Sequence, residues 1–497
     1  MKLDETGYVV QAKDICKSFS GVEVLKKVDL SIKKGEIHCL AGENGCGKST
    51  LVKIIAGIYS LDSGSLEING QKYENIQAIQ AIREGIQVIY QDFSVFPNLS
   101  VAENIALSNE IYENNFFVNK KKIKQIAGEV LKELSLSLDL NREVSRLPVA
   151  EKQLVAIARG ISNRAKLIIM DEPTSALTQK EIERLFEIIR ELSQKGISIL
   201  FISHKIDEVY DICDNVTILR NGENVITAPI KEVDPSKFVF YMTGRELNKI
   251  DIDEEVKEEV VLEVQNLTLK DKFEDVSFSV HRGEVLGITG LLGSGRTELA
   301  KAIFGMYSQT KGIIRIDGKE ISVRTIQSAM KTGIGYVPED RLTEGLFFEQ
   351  TITDNIIVGA IKRFGSKVGI LQKSTIADNC NDWKEKLQIK CNDLYQLVET
   401  LSGGNQQKIV LARWLTMDPK ILILNGPTVG VDIGAKFDIH MLIRELARKG
   451  IAILVISDDV PELLNTCNRI IAMHDGKVSG EVQNNNLEEA QVYSMLK

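Results

Sequence analysis

A repeat constrains this chain more than any local feature. Gly35-Glu36-Ile37 returns as Gly283-Glu284-Val285; Gly42, Gly45 and Gly47 return as Gly290, Gly293 and Gly295; Gly57, Gly64 and Gly70 return as Gly305, Gly312 and Gly318, every pair 248 positions apart. Further on the spacing is 254, pairing Leu147 with Leu401, Pro173 with Pro427, Thr174 with Thr428 and Gly222 with Gly476. Two copies that hold register over such a span require two similar units. The 497 residues also exceed what one core serves, which again points to two domains. The expected division is 1–247, an acidic linker at 248–259 containing IDIDEEVKEE, and 260–497. A charge run of this kind reads as a solvated join.

Each copy alternates apolar strands with helical stretches, the pattern of an α/β core with a mainly parallel sheet. The uninterrupted apolar runs LIIMD and SILFIS suit strands covered on both faces. A stretch richer in helix is expected from about Ala102 to Arg142. Sixty-one basic against 69 acidic residues give a net charge of -8, which argues against a nucleic-acid partner. No apolar run approaches the ~20 residues that cross a bilayer, and Met1-Lys2-Leu3-Asp4-Glu5 has no basic-then-apolar leader. The seven cysteines form no Cys-x-x-Cys pair, so neither zinc nor a disulfide framework is expected. These features read as a cytosolic chain whose membrane role would come through a partner.

Chemistry first enters at Gly42-Glu43-Asn44-Gly45-Cys46-Gly47-Lys48-Ser49-Thr50, between the strand EIHCLA and a helix. This is G-x-x-x-x-G-K-[ST] in its required setting. Its glycines let successive N–H groups turn inward on phosphates, and the helix N-terminus adds positive potential. Lys48 is expected at the β- and γ-phosphates of ATP, and Ser49 on Mg²⁺. The strand LIIM then delivers Asp171 and Glu172. Adjacent carboxylates at a buried strand end are costly without a cation, so Asp171 is expected to hold Mg²⁺ through water and Glu172 to act as general base. Cys46 invites a redox reading, because a thiol at a helix N-terminus tends to acidify; the plainer reading is a small residue that fits a tight loop.

Gly42–Thr50, VIYQDF around Gln91, LIIMDEPTSALT and FISHK around His204 together resemble an ABC-transporter ATPase, and Leu401-Ser402-Gly403-Gly404-Asn405-Gln406-Gln407 is similar to the ABC signature sequence. SALT, ISHKIDEV, MTGREL, YVPEDR and LSGGNQQK further resemble the fused ATPases of bacterial monosaccharide importers. The resemblance implies two tandem phosphate-loop NTPase domains of ABC type, each a mainly parallel sheet with a helical subdomain. It implies ATP and Mg²⁺ as cofactors, with Gln91 a further metal and catalytic residue. It implies two transmembrane permease subunits, an extracytoplasmic solute-binding protein and a peripheral place on the cytoplasmic face. It also implies head-to-tail halves, so that Ser402, Gly403, Gly404, Asn405 and Gln406 face the nucleotide of the first loop, with Phe19 stacking on adenine. A nucleoside importer shares this layout, and a soluble ABC ATPase of translation is a remoter alternative. Phe93, Phe96, Phe347 and Phe348 are candidates for an apolar socket for the permease, and Trp383 and Trp414 read as packing.

The second set of motifs is damaged. Arg296 replaces the lysine in Gly290-Leu-Leu-Gly293-Ser-Gly295-Arg296-Thr297, and Glu339 stands at the Gln91 position. Asn425-Gly426 replace the Asp-Glu pair, and Asp458 replaces the histidine. The facing signature reads Leu147-Pro148-Val149-Ala150-Glu151-Lys152-Gln153, and Leu267 occupies the place of Phe19. One catalytic site and one degenerate site are therefore expected.

Overall fold

A computed structural model describes residues 7–90, 95–112, 119–175, 177–246, 252, 256–365, 371–485 and 487–496, the side chains of 107–112 excepted. Its backbone contacts divide the chain into two units, Met1–Leu247 and Asn248–Lys497.

In the first unit Ile37–Ala41 lies between Ser198–Ile202 and Asn215–Arg220, all three parallel. Leu167–Asp171 and Ile86–Ile89 extend the parallel run on one side, and Glu223–Pro229 closes the other as an antiparallel edge. Every residue of IHCLA and SILFI is buried, and so are four of the five in LIIMD. Both sheet faces are therefore covered, which accounts for the unbroken apolar runs. A four-stranded antiparallel sheet, ordered Val22–Lys33, Tyr8–Phe19, Ser63–Ile68 and Gln71–Tyr73, completes the layer work. Helices Val101–Tyr112, Lys120–Glu133 and Val149–Ser162 pack on one another as the helical part.

The second unit repeats this order strand for strand. Its six-stranded sheet runs Ile334–Val337, Ile421–Asn425, Ala452–Ile456, Val285–Gly290, Arg469–His474 and Lys477–Gln483. Helices Ile352–Ile357, Lys373–Lys386 and Gly403–Leu415 form its helical part. The α/β class expected from the alternation of elements is the one observed. Glu259, in the acidic run, is bound by Arg282 through Nε at 2.6 Å and Nη2 at 2.8 Å, so the end of that run is anchored within its unit.

A buried carboxylate fixes the start of each phosphate-loop strand. Glu36 accepts from Lys33 N at 2.6 Å and Asn215 Nδ2 at 2.7 Å, and lies 2.8 Å from His38 Nδ1. In the other unit Glu284 accepts from Arg469 Nε at 2.9 Å and His281 N at 2.7 Å. Burial by itself would raise the Glu36 carboxyl, but the His38 hydrogen bond and charge, with the Lys33 and Asn215 donors, hold it below the usual carboxylate range. A group so lowered stabilises the fold above its unfolded pKa and loses that contribution as pH falls through its folded value. Glu36→Leu strands three hydrogen-bond partners, the buried His38 among them, and is expected to cost roughly 3 kcal/mol at neutral pH. Thermal melts should show the gap from the unchanged protein closing below about pH 4.

Candidate active site

Ile37–Ala41, Ser198–Ile202 and Leu167–Asp171 are adjacent parallel strands, so the loops that follow them leave the same sheet edge. In an open α/β sheet this carboxyl edge is where ligands bind. The first loop is Gly42–Thr50. Gly42, Gly45 and Gly47 have φ of +148°, +81° and +107°, a region other residues avoid. A Cβ on Gly42 would strike Leu219 O, and one on Gly47 would lie 3.1 Å from Val24 O. Asn44, Gly45 and Ser49 are exposed, Glu43 and Thr50 partly so. Lys48 Nζ donates to Gly42 O at 2.7 Å and Glu43 O at 2.9 Å, which folds the ammonium over the mouth of its own loop.

Asp171 and Glu172 end the neighbouring strand. Burial and the Glu172 charge raise the Asp171 carboxyl, while Lys48 and Lys53 pull it down. Glu172 shows the opposite result. Its Oε1 lies 2.9 Å from His204 Nδ1, and that hydrogen bond outweighs burial to keep the carboxyl below its ordinary range. Glu172 is therefore ionised at neutral pH. Its backbone is left-handed at φ +47° and is held by N donating to Ile202 O at 2.9 Å. A non-glycine residue costs about 1 kcal/mol in that region. Behind the pair, Glu208 Oε2 accepts from Thr174 Oγ1 at 2.7 Å and Ser203 Oγ at 3.1 Å, tying the two strand-end loops together. Glu208 was not among the expected site residues. Its signal was present, since Glu208 and Glu462 share the 254 spacing.

The corresponding edge of the second unit is chemically different. Arg296 Nη1 donates to Gly290 O, and Nη2 lies 3.3 Å from Asp458 Oδ2. The guanidinium thus answers a carboxylate of its own unit. Asn425 is 2% exposed, and its Nδ2 reaches Tyr336 Oη at 3.4 Å. Gly426 repeats the left-handed backbone of Glu172 at φ +58°, with N donating to Ile456 O at 2.8 Å. The bend is kept and the side chain is gone. Thr297, Glu339 and Asn425 line one cleft of 440 Å³, while Gly293 lines another of 670 Å³ with Leu269 and Gly476.

Ser402 caps the N-terminus of the helix Gly403–Leu415 and is exposed. Its Oγ accepts from Asn405 Nδ2 at 2.9 Å, which leaves the hydroxyl proton for another acceptor. The equivalent helix of the first unit, Val149–Ser162, is capped by Pro148 and carries Glu151 in its first turn. An acidic residue there suits the helix dipole but would repel phosphate.

The place of Leu267 needs correction. Leu267 pairs with Val276 and Thr268 with Lys311, as Ile15 pairs with Val28 and Cys16 with Ser63. Leu267 is therefore the counterpart of Ile15, not of Phe19. The hairpin tip bearing Phe19 is shortened in the second unit, where Leu269 faces Phe273 as Lys17 faces Leu25. Cys46 is 5% exposed. Burial pushes its thiol up despite Lys48, so the acidified thiol of the redox reading is not present. Phe19 is exposed at the hairpin tip, edge-on to Tyr59 with centroids 5.2 Å apart. Phe96 and Phe347 are exposed, whereas Phe348, Trp383 and Trp414 pack on the core. Gln91 and Phe93 lie outside the described residues.

A glycine-cradled lysine beside an ionised carboxylate–histidine pair, at the edge of a parallel sheet, defines a phosphate-loop ATPase. The ABC transporter family profile matches residues 25–175 and 273–429, and the chain belongs to that family as an ABC-type ATPase. A ribose import ATP-binding protein of Caldanaerobacter subterraneus is 43% identical over 490 residues, 98% of each chain. One from Bacillus licheniformis is 39% identical over 487 residues, 98% of this chain and 99% of its own. A Geobacillus kaustophilus protein named for ribose/galactose/methyl galactoside import is 44% identical over 477 residues, 96% of this chain and 95% of its own. A solved ATP-binding cassette of an ABC transporter in its ADP conformation is 26% identical, covering 48% of this chain and 99% of its own with a TM-score of 0.43.

His204 holds the Glu172 carboxyl down against burial. His204→Ala is therefore expected to move the acid limb of the residual kcat/KM profile to higher pH, as measured by steady-state ATPase assays from pH 4 to 9.

Proposed function

We propose that this chain cleaves ATP at the Lys48 loop and uses the energy to import a monosaccharide of the ribose, galactose or xylose class through a membrane permease. The observation that carries the reading is the Glu172–His204 pair at 2.9 Å, set against Gly426 and Asp458 at the matching positions of the second unit. With Oε1 held by His204 Nδ1, Glu172 Oε2 remains to take a proton from the attacking water. Lys48 releases Gly42 O and Glu43 O to pair with phosphate, and Gly42–Thr50 supply the backbone donors.

The Asp171 carboxyl, raised by burial and by Glu172, has the electrostatic demand that a cation relieves. Among the described residues no group of three or more His, Cys, Asp or Glu side chains could hold a metal alone. This fits Mg²⁺, which takes one or two protein ligands together with nucleotide phosphates and water. Ser49 and Asp171, with Gln91, would hold it, and when bound it neutralises phosphate charge. Phe19 would stack on adenine. Ser402, Gly403, Gly404, Asn405 and Gln406 complete the site head to tail from the second half, and the Arg296 half does not hydrolyse. Two permease subunits and an extracytoplasmic solute-binding protein are the partners, with the chain peripheral on the cytoplasmic face. Among the described residues no helix is long and apolar enough to cross a membrane.

Losing a catalytic base typically lowers rate by ~10²–10⁴. Glu172→Gln is expected to fall in that range in ATPase assays, while Arg296→Ala keeps most of the activity; equal losses would remove the asymmetry. Co-expression with the cognate permease and solute-binding protein should give ATP-dependent uptake of labelled ribose, galactose or xylose. Uptake of nucleosides alone would overturn the sugar assignment.

A further inference from the structure

Arg341 follows the strand Ile334–Val337 and opens the turn Arg341–Gly345. Asp340 caps that turn, accepting from Leu342 N at 2.9 Å, Thr343 N at 3.2 Å and Thr343 Oγ1 at 2.6 Å. From this fixed base the guanidinium serves two separate segments. Nε donates to Gln406 Oε1 at 3.3 Å, on the helix that Ser402 caps. Nη1 donates to Val429 O at 2.8 Å and Nη2 to Gly430 O at 3.2 Å, in the loop after Ile421–Asn425. Gln406 in turn donates Nε2 to Leu401 O at 3.1 Å, so the chain of contacts reaches the residue before Ser402.

Two glycines make room for this arrangement. A Cβ on Gly403 would come within 2.7 Å of Nη2, and one on Gly430 within 3.2 Å of Nη1. The guanidinium also lies at the positive end of a helix, where a cation is unfavourable until an anion arrives. The repeat supplies a second, independent observation. The 248 spacing puts Phe93 where Arg341 stands, and the first half opens its corresponding helix with Pro148-Val149-Ala150 instead of Ser402-Gly403-Gly404. The arginine occurs only in the half that has the signature glycines.

We propose that Arg341 is a positioning residue for ATP hydrolysis. Its planar fork ties the turn Leu401–Gln406 to the loop Val429–Gly430, holding Ser402 and the N–H groups of Gly403 and Gly404 as a set donor array. Its effect on turnover rests on the head-to-tail reading above; the clamp itself lies within one unit. A lysine at this position keeps the charge but cannot span three acceptors on two segments.

The test uses the full chain with Arg341→Ala, Arg341→Lys, Ser402→Ala and the Arg341→Ala/Ser402→Ala double variant. Misplacing a reactive array by ~1 Å costs ~10²-fold, so Arg341→Ala and Arg341→Lys are both expected to lose about that much kcat while a fluorescent ATP analogue binds within about twofold of normal. Amide hydrogen exchange over residues 401–407 should quicken roughly tenfold in Arg341→Ala, and the double variant should fall below Ser402→Ala by less than Arg341→Ala falls below the unchanged protein, because the Gly403 and Gly404 N–H groups remain to be misplaced. Unchanged exchange at 401–407, or full activity in Arg341→Lys, would overturn the clamp. If Ser402→Ala kept normal kcat, the head-to-tail reading would fail instead, and exchange at 401–407 would still judge Arg341.

Discussion

Three neighbouring parallel strands end side by side in each unit, and what leaves those ends decides what the unit can do. In the first, the ends deliver Gly42–Thr50, Asp171-Glu172 and Ser203-His204 to one edge. Burial of these strands on both faces fixes the edge, and Glu208 pins two of the loops to each other through Thr174 and Ser203. Catalytic groups held on a rigid sheet need little reorganisation when a nucleotide arrives, and that pre-setting is the main source of electrostatic catalysis.

The second unit keeps this scaffold and reassigns its polar groups to structural work. Asn425 turns its amide to Tyr336, Arg296 answers Gly290 O and Asp458, and Gly426 occupies the left-handed bend without strain. In the first unit Glu172 holds the same bend at a conformational cost of about 1 kcal/mol. A local cost kept at one copy and relieved at the other agrees with the proposal that hydrolysis belongs to the first unit alone. The trade runs the other way at the signature helices. The first unit has a proline cap and a dipole-friendly Glu151, whereas the second has Ser402 and two glycines beside the Arg341 guanidinium.

The repeat, the phosphate loop and the buried strands were legible because each is written in contiguous residues. LIIMD and SILFI could be read as central strands from composition alone, and Lys48 from its glycine spacing. Leu267 could not be placed that way. Its counterpart depends on pairing with Val276, and a shortened hairpin tip shifts the linear count. The acidity of the Cys46 thiol was open in sequence for a related reason, since the helix N-terminus is visible there but the burial that overrides it is not. Arg341 lay in a recognised motif, yet its three acceptors are 65 to 89 positions away and only folding brings them together.

The most direct measurement is a crystal structure of the Glu172→Gln protein grown with ATP and Mg²⁺. A nucleotide whose γ-phosphate is touched by both Lys48 and Ser402, within one chain or across a pair of chains, is the expected result. A nucleotide bound at Lys48 with Ser402 turned to solvent, or one gripped in a closed Arg296 loop by residues 147–153 in the manner of an intact site, would contradict the assignment of one working site and one retired site.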